Sequence, residues 1–184
     1  NLLNAIESSP DRTAAAFMKM ALFSGMRRGE LMKLKWVDVD FDRGFIHIKE
    51  PKGGVSAKVP INAQLHELLK NHPHLSEYVF VRDNGLPFTN VINKRVRLIK
   101  QKAGIPNNFR PLHGLRHAYA SLLASSGQVD MYTLQKLLTH KSPIMTQRYA
   151  HLRDETMKRA SAVAGNIIEQ AAKAKDEESD SIGA

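Results

Sequence analysis

The sequence predicts an α+β domain that is mainly α-helical and contains a small three-stranded antiparallel sheet. Two observations support this fold class. Apolar residues recur at helical spacing through most of the chain, whereas three short segments between residues 44 and 81 have the pattern of strands. A chain of 184 residues with 42% hydrophobic residues is long enough to form one domain with a sizeable core.

The first half of the chain predicts two helices followed by the sheet. "RTAAAFMKMALFSG" has a broad apolar stripe and ends at Gly25, and "GELMKLKW" predicts a short helix directly after it. "GFIHIKE", "SAKVPI" and "YVFV" predict the three strands, and the turn "PKGG" joins the first two.

The second half predicts helices only. The segments run over residues 89–102, from Pro111 to a cap at Gly127, over "MYTLQKLL" after the cap Asp130, from Ser142 and Pro143 through Tyr149, and from about Asp154 to Ala174. The buried stripe of the helix that starts at Pro111 is predicted to be Leu112, Leu115, Tyr119 and Leu122.

The composition limits the possible functions. The net charge is +9, and the acidic segment 169–184 leaves residues 1–168 at about +12, which favours a polyanionic partner such as nucleic acid over a basic face kept for solubility. There are no cysteines, no apolar run of transmembrane length and no signal peptide at "NLLNAIESSP", so we expect a cytoplasmic protein without a membrane partner. We expect residues 1–174 to form the domain and residues 175–184 to be a disordered acidic tail.

Several polar residues are candidates for chemistry, and each has a simpler alternative. Arg27 and Glu30 are three residues apart near a helix start, which is also the spacing of an ordinary ion pair. Lys52 lies in the turn between two predicted strands, where a solvated lysine is common. Tyr149, beside Ala150 and Leu152, is as compatible with a core aromatic as with an exposed hydroxyl.

The segment "HGLRH" allows two interpretations. His113 and His117 have the i, i+4 spacing of zinc ligands, but Gly114 stands where the protease motif has its glutamate, and no third ligand is evident. Alternatively, His113 and Arg116 bind a phosphate. His140 and Tyr149 would point to opposite sides of one continuous helix, and Pro143 allows them to converge because it starts a new helix.

Taken together and in order, these segments resemble the tyrosine recombinases, or phage-type integrases. "SGMRRGELMKLKWVDVDF" resembles the first-arginine segment of that family, "KGGVSAKVP" its hairpin lysine segment, "LHGLRHAYAS" its His-x-x-Arg helix and "LQKLLTHKSPIMTQRYAHL" its histidine-to-tyrosine segment. The resemblance spans roughly residues 11–152 and implies the catalytic domain of a site-specific recombinase or integrase.

The resemblance implies a role for each candidate. Tyr149 would be the nucleophile that forms a 3′-phosphotyrosyl link to DNA, Arg27 and Arg116 would bind the phosphate, and Lys52 would protonate the leaving 5′-oxygen. His113 would act as the general base towards Tyr149, His140 would hydrogen-bond the phosphate, and Glu30 would brace the site. Lys49 competes with Lys52, because one residue is inserted before Lys52, and Thr139 replaces the usual glycine.

The resemblance also implies double-stranded DNA as the partner, a homo-tetramer on DNA, and no metal or nucleotide cofactor. The family's N-terminal DNA-clamping domain does not precede Asn1, so we expect this chain to be the catalytic half, and residues 154–174 to be an element exchanged between protomers. Two other functions stay open at this point, a type IB topoisomerase and a non-catalytic DNA-binding module.

Overall fold

The structure, a computed structural model, describes residues 1–49, 56–88, 92–106, 108–154 and 156–168. In chain order its elements are α1 (Leu2–Glu7), α2 (Arg12–Ser24), α3 (Arg28–Lys33), a 3₁₀ helix (Trp36–Asp38), β1 (Val39–Asp40), β2 (Phe45–Ile48), β3 (Ala57–Pro60), α4 (Ala63–Lys70), α5 (Ile92–Lys102), α6 (Pro111–Ser126), α7 (Met131–Leu137), α8 (Ile144–Gln147) and a second 3₁₀ helix (Ala150–Arg153). The predicted fold class is confirmed.

Helix α2 is the centre of the main core. It begins where the Asp11 side chain accepts a hydrogen bond from the backbone N–H of Ala14, and it ends at Gly25, whose left-handed conformation (φ 63°) stops the helix as predicted. It packs against α4, α5 and α6. Because neighbours surround it on several sides, α2 buries most of its length, which explains why its apolar stripe is so broad.

The sheet has three antiparallel strands in the order β1-β2-β3, but its third strand is not the predicted one. Ile46 of β2 pairs with Val39 on one side and Val59 on the other, so the segment before the first predicted strand completes the sheet. In the predicted strand "YVFV", Val79 and Phe80 are buried, and the ring of Phe80 lies 5.0 Å from that of Phe17. The apolar residues at 78–81 therefore pack in the core. Their pattern resembles that of a strand, but it does not show whether the segment joins the sheet.

Helix α6 carries Pro111 in its first turn and ends at Gly127 in the left-handed conformation (φ 70°), as predicted. Its predicted stripe is correct for Leu112 and Leu115, but Leu122 is 66% exposed. The buried row continues instead through Ala120 and Ala124, and Leu122 lies about 200° around the helix from Ala120. The small residues allow close packing against α7 and the segment that holds Tyr149, and together they form a second core cluster.

The C-terminal part is helical at residue 154 and over residues 156–168, in agreement with the start of the predicted last helix. Residues 157–168 are exposed throughout. The rest of that helix and the predicted tail 175–184 lie outside the described residues. Across the ranges given above, no helix combines the length and apolar character needed to cross a membrane.

Candidate active site

A basic groove of about 1620 Å³ contains most of the predicted site residues. Ten arginine and lysine side chains line it against three carboxylates. The predicted site residues on its wall are Arg27, Glu30, His113, Arg116, His140 and Tyr149. These residues come from four separate segments of the chain, and the fold brings them to one surface.

Arg27 is fixed at the start of α3 by Glu30. The Glu30 carboxylate accepts a hydrogen bond from the backbone N–H of Arg27 at 2.7 Å and another from the Arg27 guanidinium at 2.9 Å. The Glu30 side chain is only 7% exposed, so both bonds are shielded from water. This geometry is what a bracing role for Glu30 requires, because the carboxylate orients the backbone and the side chain of the arginine together.

Arg116 projects from α6 into the protein and is 8% exposed. Its guanidinium donates to the carbonyl of Gly25 at 2.5 Å and to the carbonyl of Leu138. Burial, followed by the positive charge of Arg27, lowers the pKa of Arg116 to about 10. Arg116 is therefore a cation at neutral pH, and the two guanidiniums lie close enough to repel each other, which makes the site favourable for an anion.

Thr139 joins Arg27 to the end of α7. Its hydroxyl accepts a hydrogen bond from the Arg27 guanidinium at 2.7 Å, and its carbonyl accepts two more at 3.3 Å. Thr139 has a φ of 49°, the left-handed region that favours glycine. The substitution of threonine for the glycine expected from the resemblance therefore keeps a glycine-like backbone and adds a hydroxyl that contacts the first arginine.

His140 follows Thr139 and lies at the junction before α8. Its Nδ1 is 2.9 Å from the hydroxyl of Thr146, and the break between α7 and α8 lets it face the groove, as predicted from Pro143. Burial and then the charges of Arg116, Arg27 and Arg148 lower the pKa of His140 to about 4. At neutral pH the imidazole is therefore uncharged and can act only as a neutral hydrogen-bonding group.

Tyr149 combines the two interpretations that the sequence left open. Helix α8 ends at Gln147, so Tyr149 lies in the turn before the second 3₁₀ helix and not within a helix, contrary to the prediction. The residue is 6% exposed and its ring packs in the second core cluster, while its hydroxyl is 2.5 Å from Nδ1 of His117. Burial raises the pKa of Tyr149, and the charges of Arg148 and Arg116 partly oppose that shift.

The histidine beside Tyr149 is His117 and not His113. Nε2 of His117 is 2.8 Å from Nε2 of His113, so His113 contacts the tyrosine hydroxyl only through His117. His113 is exposed at the groove, one helical turn nearer the start of α6. Across the residues that the structure describes, no cluster of three histidine or acidic side chains is suited to hold a metal ion.

The predicted lysine, Lys52, and its turn lie outside the described residues. The competing Lys49 is described: its ammonium group is 2.5 Å from a carboxylate oxygen of Asp38, and both residues line the groove. The assignment of the lysine role therefore stays a prediction.

Comparison with known proteins identifies the family. The sequence profile described as "Phage integrase family" matches residues 1–156. The chain belongs to the phage integrase family. Tyrosine recombinase XerA of Thermococcus onnurineus is 32% identical over 164 residues, which are 86% of this chain and 57% of that protein. Tyrosine recombinase XerC of Pediococcus pentosaceus is 30% identical over 155 residues, 77% of this chain and 50% of that protein.

Solved structures agree with this assignment to the phage integrase family. A crystal structure of XerA recombinase superposes with a TM-score of 0.73 at 27% identity and covers 89% of this chain and 61% of that one. A post-cleavage complex of XerH recombinase with its difH substrate gives a TM-score of 0.71 at 26% identity, covering 89% and 50%. The chain thus spans about half the length of the curated relatives it matches.

The structure also shows a contact of His117 that the sequence did not reveal. His117 was considered only as a zinc ligand with His113, because the i, i+4 spacing is visible in the sequence. Its contact with Tyr149 depends on how the turn after α8 packs on α6, over a separation of 32 residues. The sequence did contain one indication of this contact: His117 directly follows Arg116, which places it beside the buried row of α6.

Proposed function

We propose that this member of the phage integrase family is the catalytic part of a site-specific DNA recombinase, which cleaves and rejoins double-stranded DNA through a 3′-phosphotyrosyl intermediate. The observation that carries the proposal is the position of the Tyr149 hydroxyl in the same basic groove as Arg27 and Arg116. The groove is rich in cations where a DNA backbone would lie, and the names of the relatives describe recombinases.

The two arginines bind the scissile phosphate in this mechanism. The transition state of phosphoryl transfer spreads negative charge over the non-bridging oxygens, and planar guanidiniums stabilise that charge through paired hydrogen bonds. Glu30 and the carbonyls of Gly25, Leu138 and Thr139 hold the guanidiniums before DNA arrives. Little reorganisation is then needed when the phosphate binds.

Tyr149 attacks the phosphorus, and the 5′-oxygen leaves. The phosphotyrosyl bond replaces the bond to the 5′-oxygen, so the phosphodiester is conserved. A 5′-hydroxyl can then attack the phosphotyrosyl bond and rejoin a strand without an external energy source. Lys52 supplies the proton to the leaving oxygen, because a lysine ammonium can transfer a proton, whereas the N–H groups of Arg27 and Arg116 are occupied by the phosphate and by their carbonyl acceptors. His140 donates a hydrogen bond to the phosphate as a neutral imidazole.

The proposed partners are double-stranded DNA and further copies of the chain, in a tetramer on two DNA sites. The helix at residues 156–168 is exposed from residue 157 onward and carries apolar side chains at Met157, Val163, Ile167 and Ile168, which supports its role as the exchanged element. Sedimentation on DNA with and without residues 154–184 tests this role. Loss of the larger complex upon truncation supports exchange, and an unchanged complex contradicts it.

The chemical proposal is tested by trapping the covalent intermediate. The complete gene product that carries these residues is incubated with a fluorescent, nicked duplex pool of randomised sequence in EDTA, and the products are separated on an SDS gel. We expect a slow-migrating covalent adduct with the wild type and none with Tyr149→Phe. Tyr132→Phe is the matched control, because Tyr132 is 67% exposed on α7 and outside the groove.

Two results would contradict this function. Absence of an adduct in the wild type over a range of salt and protein concentrations would favour a non-catalytic DNA-binding module. An adduct accompanied by relaxation of supercoiled DNA, without exchange between two trapped sites, would instead favour a topoisomerase.

A further inference from the structure

The two histidines of α6 form a continuous path from the buried tyrosine hydroxyl to solvent. The hydroxyl of Tyr149 is 2.5 Å from Nδ1 of His117, and Nε2 of His117 is 2.8 Å from Nε2 of His113. Tyr149 is 6% exposed, His117 is half-buried and His113 is exposed. The path therefore begins at the reacting atom and ends in water within three side chains.

We infer that His117 is the catalytic proton acceptor for Tyr149, and that His113 acts behind it as a relay that passes the proton to solvent. This inference rests on the proposed function, in which Tyr149 is the nucleophile, and it changes the role that the sequence suggested for His113. A general base must lie within hydrogen-bonding distance of the proton it removes, and among these two histidines only His117 does so.

The two contacts of His117 are compatible with the arrangement of protons that this transfer requires. In that arrangement the Tyr149 hydroxyl donates to Nδ1 of His117, the Nε2–H of His117 donates to Nε2 of His113, and the exposed His113 carries its own proton on Nδ1. The phenol oxygen of Tyr149 bonds to phosphorus, and the 5′-oxygen leaves with a proton from the proposed acid, Lys52. In the same step the phenol proton moves to Nδ1 of His117. The Nε2 proton of His117 moves to His113, which becomes an imidazolium and releases one proton to water. Rejoining of the strand reverses each transfer.

Burial, together with the charges around it, keeps His117 neutral before the reaction. Burial lowers its pKa, and the neighbouring His113, Arg148 and Arg116 add to that effect in this order. A neutral imidazole is the form that accepts a proton. The titratable and charged groups that face His117 come from α6, from the junction after α7 and from the turn after α8, and they are His113, Arg116, His140, Arg148 and Tyr149.

The surrounding cations also explain the need for a relay. A proton left on His117 would add a third positive charge beside Arg116 and Arg148. Transfer to the exposed His113 moves that charge into water, where it is better solvated. The relay thus removes the proton without placing a buried cation beside the arginine that binds the phosphate.

The experiment measures the attack by Tyr149 separately from the protonation of the leaving group. A nicked duplex pool that carries a 5′-bridging phosphorothiolate needs no proton on its leaving group, because a thiolate leaves without one. The rate of adduct formation is then measured by single-turnover kinetics from pH 6 to pH 9 for the complete gene product. His117→Asn places an amide where Nδ1 lies, so it can still contact the hydroxyl but cannot accept its proton.

We expect His117→Asn to slow adduct formation about 100-fold or more at pH 7, the usual contribution of a general base. The defect should shrink by about tenfold for each pH unit up to pH 9, because hydroxide replaces the missing base. His113→Gln, at an exposed position that does not threaten folding, should give a smaller loss of about tenfold with the same pH trend. His66→Asn, at an exposed histidine of α4 outside the groove, should match the wild type.

Each other result overturns the inference in a recognisable way. A His117→Asn rate equal to the wild type, or a loss that is the same at every pH, shows that His117 is not a proton acceptor, and the proposed function stands. Wild-type behaviour of His113→Gln excludes the relay. If the wild type itself forms no adduct, the proposed function fails and the proton path fails with it.

Discussion

Thr139 offers a prediction in which two opposing effects can be separated. Its backbone is left-handed, which costs an L-residue roughly 1–2 kcal/mol, and its hydroxyl accepts a bond from the charged Arg27 guanidinium. Such a bond contributes about 1.5–3 kcal/mol, and the lower figure applies because the Arg27 side chain is 29% exposed. The hydroxyl therefore offsets the cost of the backbone.

Two substitutions remove the hydroxyl and differ in the backbone. Thr139→Val keeps the β-branched shape in the left-handed conformation, so we expect the free energy of unfolding to fall by about 1.5 kcal/mol. Thr139→Gly also loses the bond and adds about 0.5–1 kcal/mol of unfolded-state entropy, but it recovers the roughly 1–2 kcal/mol of backbone cost. Its stability should therefore lie between that of the wild type and that of the valine variant.

Urea unfolding followed by circular dichroism measures all three proteins under the same conditions. A valine variant as stable as the wild type would show that the hydroxyl contributes nothing. A glycine variant less stable than the valine variant would show that the left-handed conformation at residue 139 costs less than the about 0.5–1 kcal/mol of unfolded-state entropy that glycine adds. Either result would refute the explanation given for the threonine at this position.

Three further predictions concern the fold and its charges. Gly25→Ala should destabilise the protein by about 2–4 kcal/mol in urea unfolding, because at a φ of 63° the added Cβ would lie 2.5 Å from the Tyr119 ring. Gly44→Ala is the control. Gly44 has a φ of 71° but open space around it, so this substitution should cost only about 1–2 kcal/mol. Equal losses would contradict the packing of Tyr119. Burial raises the pKa of Asp11, but hydrogen bonds from Arg95 and the backbone outweigh burial and lower it. Its stabilising effect is therefore present above the unfolded-state pKa and lost as the pH falls, and thermal unfolding between pH 2 and pH 6 should show a smaller pH dependence in Asp11→Asn. Finally, sulfate should raise the melting temperature of the wild type more than that of Arg27→Gln, because only the wild type can hold an anion between two guanidiniums. Equal increases would exclude an anion site, since the general stabilisation by sulfate acts on both proteins alike.

The sequence was most informative where local chemistry decides the structure. Gly25, Gly127 and Asp130 were correctly predicted as helix caps, because a cap depends on one residue and its immediate neighbours. The prediction of the third strand was wrong. Residues 79–80 have the apolar character of a strand, but whether a segment pairs in a sheet depends on distant parts of the chain, which the local pattern does not show. Leu122 was placed in the core because its spacing fits a helical stripe, yet the row of small alanines faces the neighbouring helix.

The site could be predicted as a set of residues but not as a set of contacts. Six of the seven predicted side chains are described, and all six line one groove. The identity of the histidine beside Tyr149 depends on a turn that packs on α6, which local periodicity does not specify. The double role of Tyr149, with its ring in the core and its hydroxyl at the groove, also required the packing of α7 and α8 to be known.

Arg27 and Arg116 each have a carbonyl acceptor that lies later in the chain than the arginine itself, which affects when the two contacts can form during synthesis. Arg27 binds Thr139, which is 112 positions later in the chain, and Arg116 binds Leu138, which is 22 positions later. At a translation rate of about 5–20 residues per second, roughly 6–20 seconds separate the synthesis of Arg27 from that of its acceptor. The nascent chain thus lacks these carbonyl acceptors, which orient the two guanidiniums, until residues 138 and 139 have been synthesised, and at that point only nine residues, 140–148, remain to be added before Tyr149.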